Sequence, residues 1–525
     1  MDFSLILSRS GSPTCAAGGI WLHSRYEPER EAFRFAESEI AAAKPSHVVL
    51  LGPCLDYLSG AVRILLPRAR VITVQYSAFF ADQSVGRADS AWYPDSKTPL
   101  ESFLDSALDE DAISGVAVLE WEPASRAFPG QALAARSAVK ASLDRLVSST
   151  ATVKSSGRRW IANACAAFLL VERVWEPEFS SIPILVAAAG PSLRQSLLEL
   201  SSIKGRFVTI AVSSALAACR CAGIAPDIVV ATDGGYWSRL HLYPLAAKPL
   251  PLASPLTALP SSAIYRGSGL VLLDQGSFAE SELLPDLCPA LAIPPHGTVS
   301  GTAIQLAARL TDGPIIVAGL DLASFGELDH ARPHGFDAAL GATVSRLSTH
   351  ESLTWTRSVE TTPLPLLERP WRSSRSLSAY ASALALDMKP LEKRIFRLCP
   401  SPIPLPGFAD TCPSDLESFA NVGESGPCAL RLREIPLPSR GDRKACLDQR
   451  LASWRELAAK VSGDLEIGKI PSNPLVAEFL RSIELVDYAA ARRAILSGDD
   501  PRSAARDLAL SCDLYLSALE RRFAS

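Results

Sequence analysis

Between residues 176 and 395, short apolar runs alternate with helical stretches, and this alternation constrains the fold more than anything else in the chain. IPILVAA, RFVTIAV, PDIVVATD, SGLVLLD, ALAIP and PIIVAG each read as a strand. SLRQSLLELSSI, SALAACRCAG and GTVSGTAIQLAARL lie among them with apolar residues at helical spacing. Strand and helix repeated in this way give a parallel sheet covered by helices. That is the doubly wound α/β pattern, whose ligands sit beyond the carboxyl ends of the strands.

The flanks have a different texture. Near the N-terminus, HVVLL (47–51), the turn GPCLDY, the helix LSGAVRILL and the strand RVITVQY (70–76) form a strand–turn–helix–strand unit, a second, Rossmann-like α/β domain. PASRAFPG (123–130) reads as a loop and QALAARSAVKASLDRLVSS as the helix behind it. Proline-rich stretches, TTPLPLLERP and CPSPIPLPG, punctuate the chain around residue 395. From about residue 440 the chain is helical. Leu447, Leu451, Trp454, Leu457 and Val461 make one apolar face, and Asn473 and Asp500 each precede a proline at a helix start. With 525 residues, too many for one core, the expected division is 1–175, an N-terminal α/β domain; 176–395, the central α/β domain; and 396–525, a linker and a C-terminal helical bundle.

Composition excludes several classes. The net charge is −4 and no long basic run occurs, so a nucleic-acid footprint is absent. No apolar stretch approaches the ~20 residues of a spanning helix, so no membrane insertion is expected. MDFSLILSRSGSPTC lacks the form of a signal peptide, and a cytoplasmic protein is expected. The 11 cysteines contain no CxxC, which argues against a zinc cage and a disulfide framework; most are expected to be small buried apolar residues. No metal and no cofactor is expected.

The residues that could carry chemistry cluster where strands end. Gly190-Pro191-Ser192 follows the first central strand, with Ala187 to Ala189 leaving the approach uncrowded. Glycine lets a ligand come near the backbone, and a helix N-terminus offers free N–H groups. The same residues also read as a tight turn into a capped helix, with Ser192 as N-cap and Gln195 completing a capping box. Gly297-Thr298-Val299-Ser300-Gly301-Thr302-Ala303 is a second small-residue helix start, suited to phosphate or to close packing. Asp233 and Asp321 lie just past strand ends, where an acid binds sugar hydroxyls, holds a metal, takes a proton or caps a helix. His330 and His334 follow in LDHARPHGFD, as acid, base, phosphate partner or surface residues. In the first domain, Gln75 and Tyr76 stand where a nucleotide site wants an acid for ribose, so that domain reads as structural, without a ligand.

AAGPSL, GIAPDIVVATD, GTVSGTAIQLA and GLDLASFGELDHA, in this order, resemble the motility-associated factors (Maf), the flagellin glycosyltransferases. LHSRYEPEREA and VVLLGPCLDYL are similar to that family's N-terminal domain, so the resemblance covers most of residues 20–340. It implies a sialyltransferase-like Rossmann fold for the central domain. It implies a CMP-activated nonulosonic acid donor, of pseudaminic or legionaminic type, and serine or threonine hydroxyls of flagellin as acceptor. The family's donor contacts carry over onto Gly190, Pro191, Ser192, Thr298, Ser300, Gly301 and Thr302, and Ser213 after the next strand joins this nucleotide-sugar set. Its acids and histidine match Asp233, Asp321 and His330 as catalytic candidates. Ala189 and Gly234-Gly235 depart from the family pattern. Relatives of the same domain imply an alternative, a 6-hydroxymethyl-dihydropterin pyrophosphokinase in which Asp233 and Asp321 bind magnesium. A non-catalytic flagellin-binding accessory protein is the third reading.

Overall fold

The computed structural model describes residues 2–524 other than 41, 109–112, 114, 202–204, 259–266, 327, 350, 353–361, 365–370, 399–400 and 421–427. Most of TTPLPLLERP, and Cys399 and Pro400 of the second proline-rich stretch, therefore lie outside the described residues. The backbone divides into two compact units, residues 1–158 with 451–525, and residues 159–450. The threefold division expected from texture is not this one. The helices Pro474–Ser497 and Arg502–Phe523 belong to the N-terminal unit, and strands beyond residue 395 continue the central sheet.

In the first unit, an antiparallel sheet of β1 (Phe3–Leu7), β2 (Pro13–Ala17) and β3 (Ile20–Trp21) precedes a parallel sheet. The latter is built from β4 (His47–Leu51), β5 (Arg70–Val74), β6 (Ser90–Trp92) and β7 (Val116–Glu120), in the order β6-β5-β4-β7. HVVLL is buried along its whole length, as a strand covered on both faces requires. PASRAFPG is not the expected loop. Glu122–Ala127 is a short helix with proline in its first turn, where the missing N–H costs nothing, and a helix of 42 residues, Pro129–Leu170, follows at once.

The second unit holds an 11-stranded sheet. Its strands are β8 (Val174–Pro177), β9 (Ile184–Ala187), β10 (Val208–Val212), β11 (Ile228–Val230), β12 (Leu252–Pro255), β13 (Leu270–Asp274) and β14 (Leu291–Ala292). They continue in β15 (Ile315–Ala318) and, after a separate small sheet of β16 (Ser324–Phe325), β17 (Thr362–Pro363) and β18 (Trp371–Ser373), in β19 (Ile395–Leu398), β20 (Ala409–Thr411) and β21 (Leu432–Ile435). The order is β20-β19-β15-β9-β10-β11-β12-β13-β8-β21, with β14 also on β13, and only β21 runs antiparallel to its neighbour. The core is aliphatic, from Ile184, Val186, Ile210 and Val230 through Ile304 to Ile315 and Val317. This is the doubly wound α/β fold expected from the alternation of runs. Among the described residues, no helix is long and apolar enough to cross a membrane.

Candidate functional site

β9 pairs with β10 on one side and β15 on the other, both parallel. From β9 the chain builds outward through β10 to β13, while β15 leads the other way to β19 and β20. Successive crossovers thus depart in opposite directions from the carboxyl ends of β9 and β15. In open α/β sheets, ligands bind at the carboxyl ends of the strands around such a switch point. The two loops there are Gly190-Pro191-Ser192 and Gly319-Leu320-Asp321.

These loops interlock. The Gly190 N–H donates to the Gly319 carbonyl at 2.8 Å. A side chain at Gly190 would bring its Cβ within 2.5 Å of both Asp321 Oδ2 and the Gly319 carbonyl, so packing inside the protein already demands glycine there. Gly319 has φ of +72°, and a Cβ on it would meet Ala188 O and Leu193 Cβ at 2.7 Å. Asp321, only 1% exposed, accepts the Ser192 N–H at 2.7 Å and the Ser192 hydroxyl at 2.5 Å. Ser401 donates to the Leu320 carbonyl at 2.8 Å and approaches Asp321 Oδ1 at 3.4 Å. Burial pushes the Asp321 carboxyl up to about 6, against the hydrogen bonds from Ser192. The expected capping box does not form. Ser192 is already helical and makes no side-chain cap, because its hydroxyl and N–H both go to the buried carboxylate.

The helix Val299–Leu310 opens at the same edge. At its far end Ser180 N–H reaches the Leu310 carbonyl, and Thr311 donates to Ile182 O at 2.7 Å, beside the start of β9. Twelve residues rise about 18 Å, which puts Thr298 at the carboxyl edge. Thr298 is the N-cap, its hydroxyl accepting the Gly301 N–H at 3.1 Å, and helix geometry leaves the N–H groups of Val299 and Ser300 open. Thr302 is buried, Ser300 half-buried. Gly301 has no room for a side chain, since a Cβ would lie 2.6 Å from His296 Cβ. His296 Nδ1 meets Asp387 Oδ2 at 2.8 Å, while its Nε2 is buried without a partner.

Ser213 is buried at the start of the 3-10 turn after β10. Asp233 is exposed and stands three residues beyond the end of β11, where its Oδ1 accepts the Gly235 N–H at 2.7 Å. Packing demands glycine at Gly234. A Cβ there would be 2.6 Å from Thr257 O and 2.9 Å from Asn163 Nδ2. Asn163 donates to the Gly234 and Thr257 carbonyls, at 3.2 and 2.9 Å, and so ties the loops after β11 and β12. Glu280 ties β12 to β13. It is wholly buried, accepts the Thr257 hydroxyl at 3.2 Å and the Gln275 N–H at 3.1 Å, and burial raises its pKa.

His330 reaches the switch point through its neighbour, since the Ala331 N–H donates to the Ala189 carbonyl at 2.8 Å. Its ring stacks on His334 at 4.7 Å, and His334 meets His241 edge-on at 4.6 Å. His241 is 8% exposed, and burial, then His330, push its pKa down to about 4 while Asp233 opposes. One row of imidazoles therefore links the loop of Asp233 to the loop of His330. The structure thus gathers Gly190, Ser192, Asp321 and His330, sets Thr298 to Thr302 on the same sheet edge, and relates Asp233 to them through His241. Sequence reasoning missed Asn163, His241, Glu280 and His296. Of these only His296 had a local signal, directly before Gly297. Among the described residues, no group of three or more His, Cys, Asp or Glu is arranged to hold a metal ion.

The first unit has a switch point of its own between β4 and β7, and it is filled. A Cβ on Gly52 would lie 2.5 Å from Tyr76 Cε2. Tyr76 donates to Glu120 at 3.1 Å, and Gln75 grips the Cys54 backbone at both N–H and carbonyl. Gln75 and Tyr76 hold this turn from the place where a nucleotide site would keep an acid.

Residues 166–326 match the family model described as 6-hydroxymethylpterin diphosphokinase MptE-like. Over 236 residues the chain is 32% identical to an uncharacterized protein of Treponema pallidum (strain Nichols). That alignment takes in 45% of this chain and 52% of the other, so the chain spans about half the length of the curated relative it matches. The fold is that of the MAf glycosyltransferase from Magnetospirillum magneticum AMB-1, with a TM-score of 0.61 at 12% identity, over 99% of this chain and 93% of that one.

Proposed function

We propose that this chain is a glycosyltransferase that moves a nonulosonic acid, of pseudaminic or legionaminic type, from a CMP-activated donor to serine or threonine of flagellin in the cytoplasm. The observation that carries the reading is the β9/β15 switch point, where the Asp321–Ser192 clamp fixes the turn beside the open helix N-terminus of Val299 and Ser300. The fold shared with a MAf glycosyltransferase supports it.

The bond from the anomeric carbon to the phosphate oxygen breaks, CMP departs with the electron pair, and the acceptor hydroxyl gives up its proton as its oxygen bonds to the sugar. Charge grows on the departing phosphate, and preorganised N–H and hydroxyl groups stabilise it best. In this reading Val299 and Ser300 N–H and the Ser300 hydroxyl serve that phosphate. The Ser192 hydroxyl does not, because Asp321 already holds it. Asp321 is a positioning residue and His330 the proton carrier. Thermal unfolding with CMP tests the reading. At a hundred times its dissociation constant a ligand adds about 2.7 kcal/mol, a clear upward shift, and no shift with CMP would overturn it.

The match over residues 166–326 favours a second reading, diphosphate transfer from ATP to a pterin. Asp233 and Asp321 would then hold magnesium, and Asp321 would have to release Ser192 to do so. A shift with ATP and magnesium but none with CMP would put this reading first.

A further inference from the structure

The loop after β11 ends in two large aromatic rings that the protein leaves in water. Tyr236 is 57% and Trp237 62% exposed, with ring centroids 5.3 Å apart in an edge-to-face pair. The Arg239 guanidinium lies over the Tyr236 ring at 3.5 Å. The loop beneath them is tied. Asn163 and the Thr257 carbonyl seat Gly234, Asp233 Oδ1 takes the Gly235 N–H, and Ser238 Oγ lies 2.9 Å from Asp233 O and 2.6 Å from Gly235 O. Exposed apolar area on a tied loop is unfavourable in water and gains by being covered.

Position suggests what covers it. β11 lies two strands from β9, about 10 Å at the usual spacing. A donor laid along this carboxyl edge, with its phosphate on the Val299 and Ser300 N–H groups and its sugar toward β11, would bring the sugar to Asp233 and Trp237. The apolar C–H face of a pyranose ring matches an indole face, and its hydroxyls match the exposed Asp233 carboxylate, of which Gly235 uses one oxygen.

We propose that Tyr236 and Trp237 form a stacking platform for the sugar ring of the donor, with Asp233 accepting its hydroxyls; this rests on the glycosyltransferase reading above. Titration calorimetry of the full chain with CMP and with CMP-N-acetylneuraminic acid tests it. The wild type is expected to bind the sugar nucleotide about tenfold more tightly than CMP. Trp237→Ala is expected to erase that margin and leave CMP affinity unchanged, and Trp237→Phe to keep most of it. The ring is exposed, so an unchanged melting temperature will show that the variant is folded. Equal weakening of both ligands by Trp237→Ala would make the ring a base platform and overturn the proposal. A margin that survives the substitution, or a wild type that binds CMP with no margin, would overturn it while leaving the glycosyltransferase reading standing. A wild type that binds neither ligand would remove both.

Discussion

At the residue scale, side chains that tie loops together explain the site better than side chains aimed at a ligand. Asp321, Asn163 and Glu280 each bind backbone groups beyond strand ends, and each is cheaper to bury with those bonds than without. His241 has no such compensation, since its buried Nδ1 has no partner. Its pKa, lowered from 6.5 to about 4, means that the unfolded chain takes up a proton which the native state refuses. Stability is therefore lost as pH falls from 6.5 toward 4. His241→Phe removes that penalty. In urea unfolding, the variant should gain about 2 kcal/mol on the wild type between pH 7.5 and pH 5. Parallel pH profiles for the two proteins would place the acid sensitivity elsewhere.

At the scale of elements, a kinked helix shows how one packing contact sets a backbone. Pro474–Ser497 breaks at Glu484, whose φ and ψ are −147° and 85°. Gly157, in the long helix Pro129–Leu170, lies against the break. A Cβ there would come within 2.3 Å of the Ser482 carbonyl and 2.6 Å of its Cα. Arg158 beside it donates to the Ile483 carbonyl at 2.7 Å, a carbonyl placed next to the kink. Gly157→Ala would gain ~1 kcal/mol of helix propensity. The backbone clash should outweigh it, giving a net loss of about 1–2 kcal/mol in equilibrium unfolding. A stabilised variant would mean that the kinked helix is free to move away.

At the scale of the whole molecule, every residue of the candidate site lies within residues 159–450. A fragment of that span should fold and bind CMP with the affinity of the full chain, measured by titration calorimetry. A fragment that folds but loses CMP would mean that residues outside it contribute to the site. Of the two α/β sheets, β4, β5, β9, β10, β11, β13, β14 and β15 were legible as apolar runs, and the helices among them by their turn every 3.6 residues. β6, β8, β12, β19, β20 and β21 were not, being short runs interrupted by polar residues or proline, and neither was β7, which is mostly only half-buried. The tail's helices were legible too, though not their place. An apolar stripe such as Leu447, Leu451 and Trp454 says that something covers it and not what.

The sequence by itself determined the fold class, the ends of β9, β11 and β15 and the two small-residue helix starts, since all of these follow from periodicity and local backbone chemistry. Only the tertiary structure decided that Gly190 is glycine because of Asp321 and Gly319, that Ser192 is spoken for, and that His241 sits among His330, His334 and Asp233. Residues 129 apart in the chain meet there at hydrogen-bond distance. Contacts of that kind leave no local trace, because each residue alone is compatible with a cap, a turn or a surface.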